Sequence, residues 1–259
     1  MFYIVCVIYN KGIKSVTSLN AFCRLADKQE DVRILLFDNS VNEDIVTANR
    51  NTKLADYVSY ITNNGNIGLS KAYNKALAMT GPDDWIMWTD DDTSFSDEYL
   101  NNAYKAACNN TCDIIAGIVT TNLHTVLSPS FMKKDDTKEL KSGVIYDHLY
   151  CINSGLCVKK TVYELIGKYD ETLFLDMIDY WLFDEARRHN INQVYLVPGE
   201  IVQDFSGNSR GTIRSQMKRY RIYKKDFNNY CTIENKPLSY RLKILVKRYF
   251  GIIYKSIKK

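Results

Sequence analysis

Trp85-Ile86-Met87-Trp88-Thr89-Asp90-Asp91-Asp92 drives a short apolar run straight into three consecutive carboxylates. Residues 85–88 are bulky, apolar and too few for a helix, which reads as a strand buried on both faces. The same figure recurs upstream. Residues 2–9 are continuously apolar and end at Asn10, residues 32–37 end at Asp38-Asn39-Ser40, and residues 57–61 end at Asn63-Asn64-Gly65-Asn66. Between these runs, Val16, Leu19, Phe22, Cys23 and Ala26, then Leu69, Ala72, Tyr73, Ala76 and Leu77, recur at helical steps. Strands alternating with helices predict right-handed crossovers and a mostly parallel α/β sheet. In such sheets ligands bind outside the carboxyl ends of the strands. Here those ends carry Asn10, Asp38, residues 63–66 and the aspartate triplet.

The second half is less regular. The pattern predicts a helix over 96–108, a strand over 114–119 and a mobile polar loop over 128–142. Asn153-Ser154-Gly155 precedes a short strand and a helix from about Thr161. A helix over 176–188 and strands over 193–197 and 201–205 follow. Pro237 opens a last helix that runs to Ile257.

The chain has 259 residues, 46% hydrophobic and 25% charged, with only 12 Gly and 4 Pro, which excludes disordered, collagen-like and low-complexity proteins. The longest apolar run, residues 2–9, falls far short of the ~20 a membrane span needs. No basic segment precedes it and no small-residue cleavage site follows, so a cytoplasmic globular protein is expected. Seven cysteines without a CxxC pair read as core residues in a reducing compartment. The net charge of +4 hides an asymmetry. Residues 211–259 hold 14 Lys and Arg against Asp226 and Glu234, while residues 1–210 hold 20 against 28 acids. Such a tail suits an anionic partner, nucleic acid or a membrane surface.

Three adjacent carboxylates repel one another, and partial burial adds to the cost, so the triplet wants a cation. Hard divalent ions such as Mg²⁺ or Mn²⁺ take oxygen ligands and share them with substrate phosphates. The alternative is a solvated acidic turn. Asp38 suits a ribose or base edge, or else caps its own turn. Asn66-Ile67-Gly68 allows close approach of backbone to a ligand, or else is a helix-capping turn. Neither GxGxxG after the first strand nor a Walker A motif is present, which disfavours dehydrogenases and P-loop NTPases.

The ordered set Val7-Ile8-Tyr9-Asn10, Phe37-Asp38-Asn39-Ser40, Asn64-Gly65-Asn66-Ile67-Gly68 with Asn74, and Asp90-Asp91-Asp92 resembles the family 2 glycosyltransferases of GT-A fold. Asn153-Ser154-Gly155, the segment 174–179 and Phe205-Ser206-Gly207-Asn208-Ser209 are similar to their bacterial rhamnosyltransferase-like branch. The resemblance covers about residues 1–210. It implies a donor-binding half (1–92), an acceptor-binding half (93–210) and a basic helical tail (211–259).

It also implies site roles. Tyr9, Asn10, Asp38, Asn39, Asn66, Gly68, Lys71, Asp90 and Asp91 would face a nucleotide-sugar donor, with Asp38 reading a pyrimidine. Asp90 and Asp92 would hold Mn²⁺ or Mg²⁺ on the diphosphate, and Asp179 would be the catalytic base. Asp176, three residues earlier, would share a helix face with it. Asn153, Ser154, Asp176 and Trp181 would line the acceptor site. Two positions depart from the pattern: Gln203 stands where the family has a metal-binding histidine, with Asp204 beside it, and Trp181 replaces an acidic residue. Trp181 then stacks on a sugar or is a core aromatic.

The function so implied is inverting transfer of a sugar to a lipid-linked or oligosaccharide acceptor in bacterial surface polysaccharide synthesis. The donor is dTDP-rhamnose or a UDP-hexose such as UDP-galactose. A sugar-nucleotide nucleotidyltransferase and a catalytically inactive binding protein are the other readings. In the last helix Leu238, Leu242, Leu245, Tyr249 and Ile252 form an apolar stripe flanked by Arg241, Lys243, Lys247, Arg248, Lys255, Lys258 and Lys259. That pattern predicts a helix lying in an anionic membrane interface, on the inner face of the cell membrane, and no nucleic-acid partner.

Overall fold

The computed structural model describes residues 1–63, 65–132, 139–204 and 212–257, with side chains through Tyr254. Its first part is β1 (Phe2–Ile8), α1 (Leu19–Ala26), β2 (Val32–Asp38), α2 (Glu43–Arg50), β3 (Val58–Thr62), α3 (Leu69–Leu77) and β4 (Trp85–Asp90). The four strands lie in the order β3-β2-β1-β4, all parallel, so their polar carboxyl ends share one edge. Side chains of β1 alternate across the sheet: Val5 and Val7 join one core cluster, Phe2, Ile4, Cys6 and Ile8 the other.

The chain continues with β5 (Thr93–Phe95), α4 (Asp97–Cys108), β6 (Ile114–Ala116), β7 (Val119–Thr121), β8 (Val126–Ser128), β9 (Ser130–Phe131), β10 (Val144–Asp147) and β11 (Leu149–Tyr150). Then come β12 (Leu156–Lys159), α5 (Lys160–Ile166), α6 (Ile178–Arg188), β13 (Gln193–Leu196), β14 (Ile201–Gln203), α7 (Ile213–Ile233) and α8 (Leu238–Ile257). β12 runs antiparallel to β4 and extends the sheet through β6, β13 and β10 to eight strands. Pairing of β12 with β4 brings the 153–155 turn beside the aspartate triplet: the Gly155 N–H donates to the Trp88 carbonyl at 2.8 Å. A four-stranded sheet, β5-β14-β7-β8, lies next to that edge. Helices α3, α5, α6 and α7 cover one face of the large sheet and α1 and α4 the other.

Several expectations are revised. The strand expected over 114–119 is two strands in different sheets, β6 and β7. Between them Gly117 passes so close to Tyr99 and Ile201 that a Cβ there would lie 2.6 Å from each side chain. Helix α2 was not expected, because only Val46 and Asn49 are buried and no apolar stripe marks it. Its start rests on Asn42, whose side chain accepts from the Asp44 and Ile45 amides. Part of the polar 128–142 segment is strand, and residues 133–138 lie outside the described residues, as do 205–211 and the terminal lysines. Helix α7 buries Tyr220, Tyr223, Phe227, Tyr230 and Cys231 in the core. The expected apolar stripe of α8 divides: Leu245 is buried and Ile252 packs on the core, while Leu238, Leu242 and Tyr249 are exposed, as are Val246 and Phe250 outside it. Arg248 also turns inward, its guanidinium 3.6 Å from the centre of the Tyr223 ring.

Candidate active site

The strand-end loops are knitted together by short polar side chains. Asn10, left-handed at φ 50°, donates its amide to Ser40 Oγ at 2.7 Å, and its Oδ1 accepts from the Val41 and Asn42 amides. Asn39 donates to Asn66 Oδ1 (3.1 Å) and accepts from the Ile67 amide, while Asn66 Oδ1 also takes the Gly68 amide. Tyr9 and Lys71 are exposed beside this network. Gly68 has φ 87°, and a Cβ there would meet the Phe174 ring at 2.6 Å, so only glycine fits.

Asp38 does not face the ligand side. It is fully buried, with Oδ1 accepting from the Ser40 amide and Oδ2 from Asn49 Nδ2 (2.8 Å) and the Tyr60 hydroxyl (2.7 Å). With no access and its oxygens engaged, it braces the loop, and the expected direct reading of a base is corrected. Asn49, which sequence reading missed, ties Asp38 to the Lys11 carbonyl and the Ile13 amide. Its partners lie 11 to 38 residues away, so no local pattern announces it.

Members of the acidic triplet divide their work. Asp91 accepts from the Tyr9 amide (3.1 Å) and pairs with Lys11, whose Nζ also reaches the Asp91 carbonyl. Lys11 too was missed. Asp90 accepts from the Ser154 hydroxyl at 2.5 Å and from Gln203 Nε2 at 3.4 Å. Burial pushes its carboxyl up to about 6, with Ser154 working against that. Asp92 is raised as well, by burial and then by Asp91, and its Oδ1 is buried without a partner. A partly desolvated carboxylate pair holding one orphaned oxygen fits a hard divalent cation. Among the described residues no group of three or more His, Cys, Asp and Glu gathers as a metal cluster. The pair therefore needs neutral oxygens, of which Gln203 offers one if its amide is turned.

Asp179 lies in the first turn of α6, partly exposed. Burial raises its carboxyl to about 8, Asp90 and Asp176 push the same way, and the Asn153 main-chain amide opposes them. Asn153 and Ser154 thus sit between the two acidic groups, Ser154 on Asp90 and Asn153 beside Asp179. Beneath them lies an aromatic floor, with Tyr73 packed 4.2 Å from Trp88 and Tyr169 against both. Two expectations change here. Trp181 is buried in that floor, 5.8 Å from Tyr169, so it is a core aromatic and does not stack on a sugar. Asp176 precedes α6, because Met177 is left-handed at φ 67°, and it pairs with Arg219 of α7. It therefore shares no helix face with Asp179.

The sequence matches the family described as Glycosyl transferase family 2 over residues 3–152. The chain belongs to glycosyl transferase family 2. Solved structures of like fold are glycosyltransferases of GT-A architecture, which this transferase shares. The mannosyltransferase PcManGT from Pyrobaculum calidifontis, in complex with GDP-Man and Mn²⁺, is 13% identical with TM-score 0.57, over 97% of this chain and 69% of that one. TarS residues 1–349 from S. aureus is 15% identical with TM-score 0.54, over 96% and 72%. GalNAc-T7 with UDP, GalNAc and Mn²⁺ is 12% identical with TM-score 0.56, over 79% of this chain and 43% of that one. No curated protein sequence gives a match. The family match ends at residue 152, so Asn153, Ser154, Asp179 and Gln203 of this glycosyltransferase rest on their geometry.

Proposed function

We propose that this glycosyltransferase is inverting and metal-dependent, with Asp179 as its base. The observation that carries the reading is the pairing across Asn153-Ser154 of a proton-seeking carboxyl, Asp179, with the carboxylate group of Asp90 and Asp92. Asp90, Asp92 and the Gln203 amide would hold Mn²⁺ or Mg²⁺, which when bound supplies positive charge to the departing diphosphate. Asp179 takes the proton from an acceptor hydroxyl as its oxygen bonds the anomeric carbon and the bond to the diphosphate breaks on the opposite face. A raised proton affinity suits it to this task near neutral pH.

On the donor side Tyr9, Asn10, Asn39, Asn66 and Gly68 form the nucleoside wall, with Lys71 and the α3 amino terminus toward the phosphates. Asp38 and Asp91 hold that wall from behind. Residues 1–92 are the donor half, 93–210 the acceptor half and 211–259 the tail. Asn153, Ser154 and Asp176 line the acceptor side. The donor is dTDP-rhamnose, in keeping with the rhamnosyltransferase-like motifs, or a UDP-hexose. The acceptor is a lipid-linked saccharide of a bacterial surface polysaccharide, which places the enzyme in the cytoplasm on the inner membrane face. Among the described residues no helix is long and apolar enough to cross a membrane. Attachment therefore falls to the exposed row Leu238, Leu242, Val246 and Phe250, with Lys243 and Lys247 beside it.

Thermal-shift screening against UDP, dTDP and GDP, each with Mn²⁺ or with EDTA, tests the reading. One nucleotide should raise the melting temperature in Mn²⁺ only, and the matching sugar nucleotide should yield a product of inverted anomeric configuration. Equal shifts in EDTA would remove the metal, and a retained configuration would remove Asp179 as base.

A further inference from the structure

Asp226 is one of two acids in the basic tail, and it is completely buried in α7. A carboxylate taken out of water needs several strong partners. Asp226 finds them in three successive main-chain amides: Phe174 to Oδ1 at 3.0 Å, then Leu175 and Asp176 to Oδ2 at 2.7 and 2.8 Å. Two more side chains of α7 grip the same stretch. Arg219 pairs with Asp176, and Asn229 donates to the Thr172 carbonyl at 2.8 Å. Residues 172–176 are thereby strapped to α7 at three points.

The strap joins the two halves of the reaction centre. On one side the Phe174 carbonyl accepts the Leu69 amide at 2.7 Å, and the Phe174 ring fills the space that Gly68 leaves open. On the other side the chain passes through left-handed Met177 into α6, whose first turn carries Asp179. Helix packing alone does not call for a carboxylate, because Tyr223, Phe227 and Tyr230 already anchor α7 in the core. A buried ionic group is often replaceable by apolar ones without loss of stability.

We propose that Asp226 is a positioning residue that fixes the 172–176 strap and, through it, the placement of Asp179 relative to the donor turn. The inference rests on the assignment of Asp179 as the base. Displacing a reacting group by about 1 Å can cost on the order of 10²-fold in rate. Asp226→Asn keeps the shape but sets an NH₂ group against strap amides, so kcat should fall by about ten- to a hundredfold.

Two measurements test it. Amide hydrogen exchange at 174–176 and in the first turn of α6 should speed up in Asp226→Asn, while β1 and β4 keep their protection. Unchanged exchange in the strap overturns the clamp, whatever the base proves to be. The second is a double-mutant cycle on transfer from the UDP- or dTDP-sugar selected by the nucleotide screen. In an Asp179→Asn background, Asp226→Asn should cost nothing further, because its effect runs through the base. Losses that multiply would show that Asp226 only supports the fold. Full transfer by Asp179→Asn itself would instead remove the base assignment and leave the exchange result to judge the clamp. If Asp226→Asn loses protection in β1 and β4 as well, Arg219→Ala, on the exposed side of the strap, replaces it. That variant should release the Asp176 carboxylate, speed exchange at the Asp176 amide and lower kcat several-fold; no change in either overturns the proposal.

Discussion

Asp179 combines two conditions that pull against each other, burial that holds its proton and a first-turn position open enough for an acceptor hydroxyl. Asp179→Asn should lose transfer by about 10²–10⁴-fold and keep nucleotide binding, as measured by initial rates and calorimetry. The same group ties stability to pH. Its folded pKa, about 8, lies above the ordinary 3.8. Between those values the native state keeps a proton that the unfolded chain gives up, so stability falls as pH rises from about 4 to about 8. Asp90 and Asp92 add the same sign. The melting temperature of metal-free protein should therefore drop between pH 5 and pH 8, and Asp179→Asn should shallow that drop. Gln203→His should tighten Mn²⁺ binding, read by calorimetry, because imidazole is the stronger ligand for such ions. Contiguous motifs made the triplet and Asn153-Ser154 legible in the sequence. Asp38 and Trp181 were misread because a local motif does not say whether its polar or aromatic member points in or out.

At the scale of elements, strands with unbroken apolar runs and helices with aliphatic stripes were legible; α2 was not, and of α7 only its helical character was, not its buried face. Helix α2 is held by its cap and by Asn49 more than by an apolar face. In α7 the buried face is mostly tyrosine and phenylalanine scattered among lysines and arginines, which reads as a solvated helix until its partners are known. Helix α3 shows how single polar residues join elements. Asn74 donates to the Tyr169 carbonyl and Glu171 and accepts the Tyr169 amide, with the two main-chain bonds at 2.9 Å. Asn74→Ala should destabilise the protein by about 1–3 kcal/mol in urea unfolding, with an unchanged m-value. The two sides of α8 should likewise separate. Leu245→Glu should lower the melting temperature, and Leu242→Glu should leave it within a degree or two.

For the whole molecule, charge is the feature that both sequence and structure expose. The acidic body carries the proposed donor and acceptor sites, and the net positive charge gathers on the tail with its two helices. Full-length protein should sediment with phosphatidylglycerol liposomes at low salt and be released at high salt. Leu242→Glu with Phe250→Glu should abolish sedimentation yet preserve transfer to a soluble acceptor. Deleting α8 is the poorer test, since it would uncover Tyr220 and Tyr223, which pack against it. The parallel half was readable from its sequence because each strand is joined to the next by one α-helix, β1, β2 and β3 pair in chain order, and β4 returns beside β1. In the other half most elements were readable but their places in the sheet were not, because β6, β12 and β13 interleave out of chain order and each is only three or four residues long.

The strap on α7 gives the protein an order of completion during synthesis. Strands β1 to β4 are finished by Asp90, whereas Asp226 is polymerised 136 residues later. At about 5–20 residues per second that is a delay of roughly 7–27 seconds. The donor strands are thus complete well before the residue proposed to position the base has been polymerised. Ribosome-bound chains stalled before α7 should therefore transfer sugar more slowly than full-length chains, by at least the roughly ten- to hundredfold expected of Asp226→Asn.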